Sequence, residues 1–175
     1  MHYKMVMALS FLACHTPYRL LMAAGWLLGN LYYLLIKRQR ELAIAQIMSA
    51  LHMTETEAKK TVRASFINLA RNVLEILYMP HLNRKNFRKY IEIDHLERME
   101  AALAEGKGVV VLTGHIGTWE WLSAAFSLNG MPVTAIAKSQ PNMQYTYALN
   151  DLRKTIDVEI FSRGTSELLA AARAL

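Results

Sequence analysis

The chain has 175 residues, 53% of them hydrophobic and 19% charged, which is enough apolar material for about one domain with a sizeable core. Its single cysteine, Cys14, excludes an intramolecular disulfide and a cysteine-based zinc cluster. Twenty Lys and Arg against fourteen Asp and Glu give a formal charge of +6, which points to anionic partners: nucleic acid, anionic phospholipid, a phosphorylated glycolipid or an acidic carrier protein.

Met5–Ala13 is a short apolar stretch with a charged start, and Phe11-Leu12-Ala13-Cys14 has the form of a lipoprotein cleavage site. The apolar run beyond Cys14 argues against secretion. Residues 20–36 contain no charge, at the short end of the roughly 17–25 residues needed to span a bilayer, with Asn30 and two glycines interrupting them. The expectation is a membrane-associated helix, spanning or lying in the interface, within an anchoring segment of residues 1–40. A buried helix of a soluble domain is the alternative. Lys37, Arg38 and Arg40 after the run outnumber Lys4 and Arg19 before it, so the positive-inside rule puts the remainder on the cytoplasmic side.

Residues 41–51 repeat apolar side chains at helical spacing. Thr54-x-x-Glu57 is a capping box, and Val62, Phe66, Leu69, Val73, Ile76 and Leu77 form an apolar stripe that Pro80 stops. Arg84, Lys85, Arg88 and Lys89 interleave with Phe87 and Tyr90, a pattern of a solvated basic loop or of a surface for nucleic acid or membrane. Asp94-x-x-Glu97 reads as a helix start, with Gly106 and Gly108 at its end.

The pattern then changes. Val109–Thr113 is an unbroken β-branched run, expected as a strand buried on both faces. Residues 120–128 predict a helix, 133–137 a strand, 143–154 a helix and 158–161 a strand, with a further helix from Thr165. The fold class is α/β: a helical N-terminal region, then a mostly parallel sheet flanked by helices. Leu168–Leu175 ends without a cap, so residues 41–175 are expected to be an incomplete domain.

Gly114-His115-Ile116-Gly117-Thr118-Trp119-Glu120-Trp121 follows the first expected strand. Ligands of open α/β sheets bind at the carboxyl ends of strands, which is where His115 falls. Gly114 and Gly117 permit a tight turn, and Glu120 lies in the first helical turn beyond it. A carboxylate beside an imidazole fixes its tautomer and stabilises its charged form, making His115 a better general base. Gly-x-Ser-x-Gly is absent, so no serine nucleophile is indicated; a base alone points to direct attack by a substrate hydroxyl on an activated acyl group. Trp119 and Trp121 are expected in the core. The six histidines lack ligand spacing, so no metal is expected.

Gly114–Glu120 resembles the His-x4-Asp/Glu motif of the bacterial lipid A biosynthesis (lauroyl/myristoyl) acyltransferase family, within the lysophospholipid acyltransferase-like superfamily. The likeness extends to Arg38–Gln46, to Thr61–Arg71 with its Arg-x-Ser-Phe-x-Asn-x-x-Arg pattern, to Ala137–Asn142, and to Leu152-Arg153. It implies a glycerolipid acyltransferase-like fold at the bacterial inner membrane, with the catalytic side cytoplasmic. His115 would take the proton of a glycolipid or lysolipid hydroxyl, and Glu120 would orient and charge-balance it. Arg153, Thr118 and Lys138 would contact substrate, Arg153 by stabilising negative charge or holding a phosphate. The thioester of acyl carrier protein or coenzyme A would supply the acyl group as co-substrate, and no cofactor is implied. Thr118 departs from the family's usual Asn, and family members run well past residue 175. An inactive membrane-bound fragment or scaffold is therefore the competing expectation. A nucleic-acid module rests only on net charge and the Arg84–Lys89 cluster and is set aside.

Overall fold

The computed structural model describes residues 1–162. The chain divides into two compact units: His15–Glu75, and Met1–Cys14 together with the chain from Ile76 onward.

In the His15–Glu75 unit, α2 (Tyr18–Leu35) and α3 (Lys37–Leu51) precede α4 (Glu55–Tyr78), whose last turn passes into the other unit. α4 starts with the expected capping box: Thr54 N–H donates to Glu57 Oε2 at 2.9 Å and Glu57 N–H to Thr54 Oγ1 at 3.4 Å. Ile44, Ala58 and Val62 form the core between α3 and α4, with Tyr33 and Phe66 packed around them. α2 meets α4 through Gly25 and Gly29, spaced four apart on one face with buried Leu21. A Cβ built on Gly29 would lie 2.4 Å from Ile67 Cα, and one on Gly25 2.8 Å from Arg71 Cγ. Only glycine allows backbones this close.

The spanning expectation for residues 20–36 needs correction. α2 covers the run, but among the described residues no single helix is long and apolar enough to cross a membrane. Eighteen residues reach about 27 Å, against a hydrocarbon core of about 30 Å, and they include Arg19 and Asn30. α2 and α3 pass the length and composition test only as a pair, bent by 92° across Ile36.

In the other unit, α1 (His2–Cys14) packs against the chain's later part. Ser10 Oγ donates to Leu77 O at 2.7 Å, and Tyr3 OH donates to Asp151 Oδ2 at 2.8 Å. Short 3-10 turns at Met79–His81 and Phe87–Lys89 bury Met79 and Phe87. α5 (Leu96–Ala104) begins close to the expected start, but its cap residue is His95 in the left-handed region rather than Asp94; His95 Nδ1 lies 2.9 Å from Glu97 Oε1. α6 (Trp119–Leu128), β1 (Val133–Ala137), α7 (Met143–Lys154) and β2 (Val158–Ser162) follow, all close to their expected bounds. α6 closes in a Schellman motif, with Met131 N–H donating to Phe126 O at 3.1 Å and Gly130 N–H to Ser127 O at 2.9 Å. Asn142 caps α7 by accepting from Gln144 N–H at 3.0 Å.

β1 and β2 pair in parallel, Val133 opposite Val158, with α7 as the crossover. Ala124, Ala125 and Leu128 of α6, Ala148 and Leu152 of α7, and Ile156 and Val158 make the core. Ser127 Oγ donates to Ile156 O at 2.5 Å, satisfying the buried hydroxyl. The α/β class therefore stands, as a small parallel sheet among helices. The strand expected at Val109–Thr113 does not form: the segment is irregular, and Val110 and Leu112 are 82% and 98% exposed. β-branched composition favours extended backbone, but a strand needs a partner for its ladder, and none of the described residues supplies one. The helix expected from Thr165 and the uncapped end at Leu168–Leu175 lie outside the described residues.

Gly29→Ala should destabilise the protein by about 1–3 kcal/mol, because its Cβ meets backbone that a flexible side chain cannot relieve. The melting temperature should fall by about 2–4 °C per kcal/mol. Gly25→Ala should cost less, since the Arg71 side chain can shift. Equal melting of Gly29→Ala and the parent would contradict the close approach of α2 and α4.

Candidate active site

Gly117 sets the geometry before α6. Its φ of +58° lies in the left-handed region, and a Cβ there would meet nothing within 4 Å, so backbone conformation rather than space requires glycine. Gly114 is under no such constraint; a Cβ on it would make ordinary contact with Ile116 at 3.7 Å. Ile116 N–H donates to Gly114 O at 2.9 Å, closing a tight turn around His115. His115 is exposed, and its ring lies against Trp119, centroids 4.8 Å apart and planes at 55°. Trp119 is half-buried beside the histidine, while Trp121 is buried in the core against Tyr90.

Glu120, in the first turn of α6, is 9% exposed. A carboxylate there gains from the helix dipole, and a buried one needs a partner. Arg153, in the last turn of α7, supplies it: Nε donates to Oε2 at 2.8 Å and Nη2 to Oε1 at 2.5 Å. The bidentate geometry is the strong form of this interaction. Arg153 Nη1 also donates to Asn150 Oδ1 at 3.2 Å, so three of the five guanidinium N–H donors are engaged. The ion pair ties α6 to α7 across 33 positions of sequence.

Lys138 follows β1 at its carboxyl end and lines a shallow cleft with Arg153, Gln140, Thr146 and Asn150. At about 20 Å³ the cleft has room for about one water, so it is not an acyl-chain pocket. Thr118 is the cap residue of α6; Trp121 N–H donates to its carbonyl at 2.9 Å.

The structure thus joins Glu120 to Arg153, and Arg153 to the cleft of Lys138. Among the described residues no hydrogen bond joins His115 to Glu120. Each carboxylate oxygen keeps a second lone pair beyond its bond to Arg153, so the carboxylate can still accept. Two contributors were not anticipated: Asn150, whose i,i+3 spacing from Arg153 is the available signal, and Trp119 as the ring against His115.

Arg153→Met should leave Glu120 buried and unpaired, a loss of about 3–5 kcal/mol in denaturant unfolding. Adding Glu120→Leu to that variant should recover most of the loss, because no charge then remains buried. A single-mutant loss no larger than the double-mutant loss would contradict a coupled buried pair.

The family profile described as bacterial lipid A biosynthesis acyltransferase matches residues 2–174. Comparison with curated proteins and comparison with solved structures each gave no match. The match takes in the His115 turn, the Glu120–Arg153 pair and both compact units. The chain belongs to the bacterial lipid A biosynthesis acyltransferase family.

Proposed function

We propose that the chain transfers a fatty acyl group from the thioester of acyl carrier protein or coenzyme A to a hydroxyl of a glycolipid resembling a lipid A precursor. The reaction is placed at the cytoplasmic face of the bacterial inner membrane, with residues 1–40 as the anchoring segment and 41–175 as acyltransferase domain. The family supports acyl transfer in general. The observation that supports these particular residues is an exposed imidazole on a tight turn, five positions before a carboxylate that a partly buried arginine holds in place.

In this reading, His115 accepts the proton of the acceptor hydroxyl as its oxygen attacks the thioester carbonyl. Glu120 accepts a hydrogen bond from the imidazole and balances its charge once protonated. The tetrahedral oxyanion is stabilised by cationic donors at the carboxyl end of β1, Lys138 and the remaining N–H groups of Arg153. Collapse expels the thiolate, which takes the proton back from His115. Thr118 contacts substrate beside the turn.

Membrane attachment is supported by α2. One face packs on α4, and the other leaves Leu20, Leu27, Leu31, Leu34 and Leu35 exposed. That division suits a helix lying in the interface better than one crossing the bilayer. One observation favours a second reading, a membrane-bound scaffold without activity: the segment leading into His115 is exposed and forms no strand, and the cleft beside Arg153 is too small for an acyl chain.

Membranes carrying the chain should transfer label from a radiolabelled acyl thioester to glycolipid, and His115→Ala should lower the rate by about 10²–10⁴-fold. Full turnover by His115→Ala would remove His115 as the base. No transfer by either form, with the protein folded and membrane-bound, would favour the scaffold.

A further inference from the structure

A groove in the His15–Glu75 unit has no part in the acyl-transfer chemistry. Its volume is about 520 Å³, within the roughly 300–1,000 Å³ range of small-molecule sites. Trp26, Leu27 and Leu34 of α2 form an apolar wall, and Lys59, Lys60 and Arg63 of α4 form a cationic rim. Asn30 connects the two. It sits in the middle of the apolar helix and is buried, its Nδ2 donating to Trp26 O at 2.8 Å and its Oδ1 accepting from Arg63 Nε at 2.7 Å.

That arrangement gives the asparagine a role beyond interrupting an apolar run. It holds Arg63 by Nε alone, and among the described residues the two Nη groups have no partner. Lys60 likewise has none, while Lys59 makes an exposed ion pair with Glu55 at 2.6 Å. Cations therefore stand above apolar and aromatic side chains, and no acidic residue lines the groove. The complement is an amphiphile with an anionic head and a hydrocarbon tail. A free inorganic anion would leave the wall unused, and a neutral lipid would leave the rim unused.

We propose that this groove binds one anionic membrane phospholipid, its phosphate between Lys60 and Arg63 and the start of its acyl chains along Trp26, Leu27 and Leu34. Guanidinium suits phosphate through paired N–H donors, and the ammonium groups add charge. The site does not depend on the transfer reaction, so loss of one leaves the other to be measured.

The test is co-flotation of the purified full chain with phosphatidylcholine vesicles, with and without phosphatidylglycerol. Lys60→Gln/Arg63→Gln should weaken the phosphatidylglycerol-dependent binding by about 30-fold, at the usual contribution of a cation near an anionic surface. Arg84→Gln/Lys85→Gln removes the same charge from another basic segment and should change binding by less than about 3-fold. Lys60→Gln alone, at an exposed position without a described partner, should give about a 5-fold loss even if removing Arg63 disturbs Asn30. Equal losses from the groove and the control segment would overturn the proposal in favour of dispersed charge. Unchanged binding by Lys60→Gln would overturn it as well, as would displacement of the vesicles by inorganic phosphate.

Discussion

The bidentate pair between Glu120 and Arg153 is the constraint around which the α/β portion is organised. Both groups are largely out of water, so each requires the other, and their helices must arrive at the same place. α6 brings the carboxylate in its first turn and α7 brings the guanidinium in its last, and the strands on either side of α7 pair in the register this allows. The turn bearing His115 is attached directly to the anchored end of α6. An exposed catalytic candidate thus borrows its position from a buried charge pair beside it.

Arg153 also lines the cleft of Lys138 and donates there to Asn150, so one guanidinium serves two environments. On one side it compensates a buried carboxylate. On the other it lines the cleft beside Lys138 and adds positive charge there. Such division is natural for arginine, whose donors lie in a rigid fork, and unsuited to lysine, which presents a single point charge.

Local patterns revealed much of this fold. The capping box before α4, Pro80 beyond its end, and the helix and strand expected at 143–154 and 133–137 are each written in neighbouring residues, and the structure follows them. Val109–Thr113 failed because apolar, β-branched composition encodes a preference for extension but not a ladder partner. α2 was legible as apolar, yet its glycines looked like interruptions of a span. They are sites of contact with a helix some 40 residues later. The candidate site divides in the same way. His115 and Glu120 stood out because six consecutive residues carry both, and a family resemblance singled out Arg153. Its bond to Glu120 spans 33 positions and leaves no local trace.

The docking of α1 has a consequence for how the chain is made. Tyr3 bonds Asp151, and the N-terminal amine of Met1 donates to Gln144 Oε1 at 3.0 Å, contacts separated by more than 140 residues. The His15–Glu75 unit is continuous and can close as soon as α4 leaves the ribosome. The unit built on α1 cannot close until α7 has been synthesised, since its first element waits for one of its last. During that interval α1 is an apolar helix without its partner surface, and Phe11 and Leu12 remain exposed even afterwards. The order of assembly thus makes α1 the element that stays longest without its partner surface while the chain is being made.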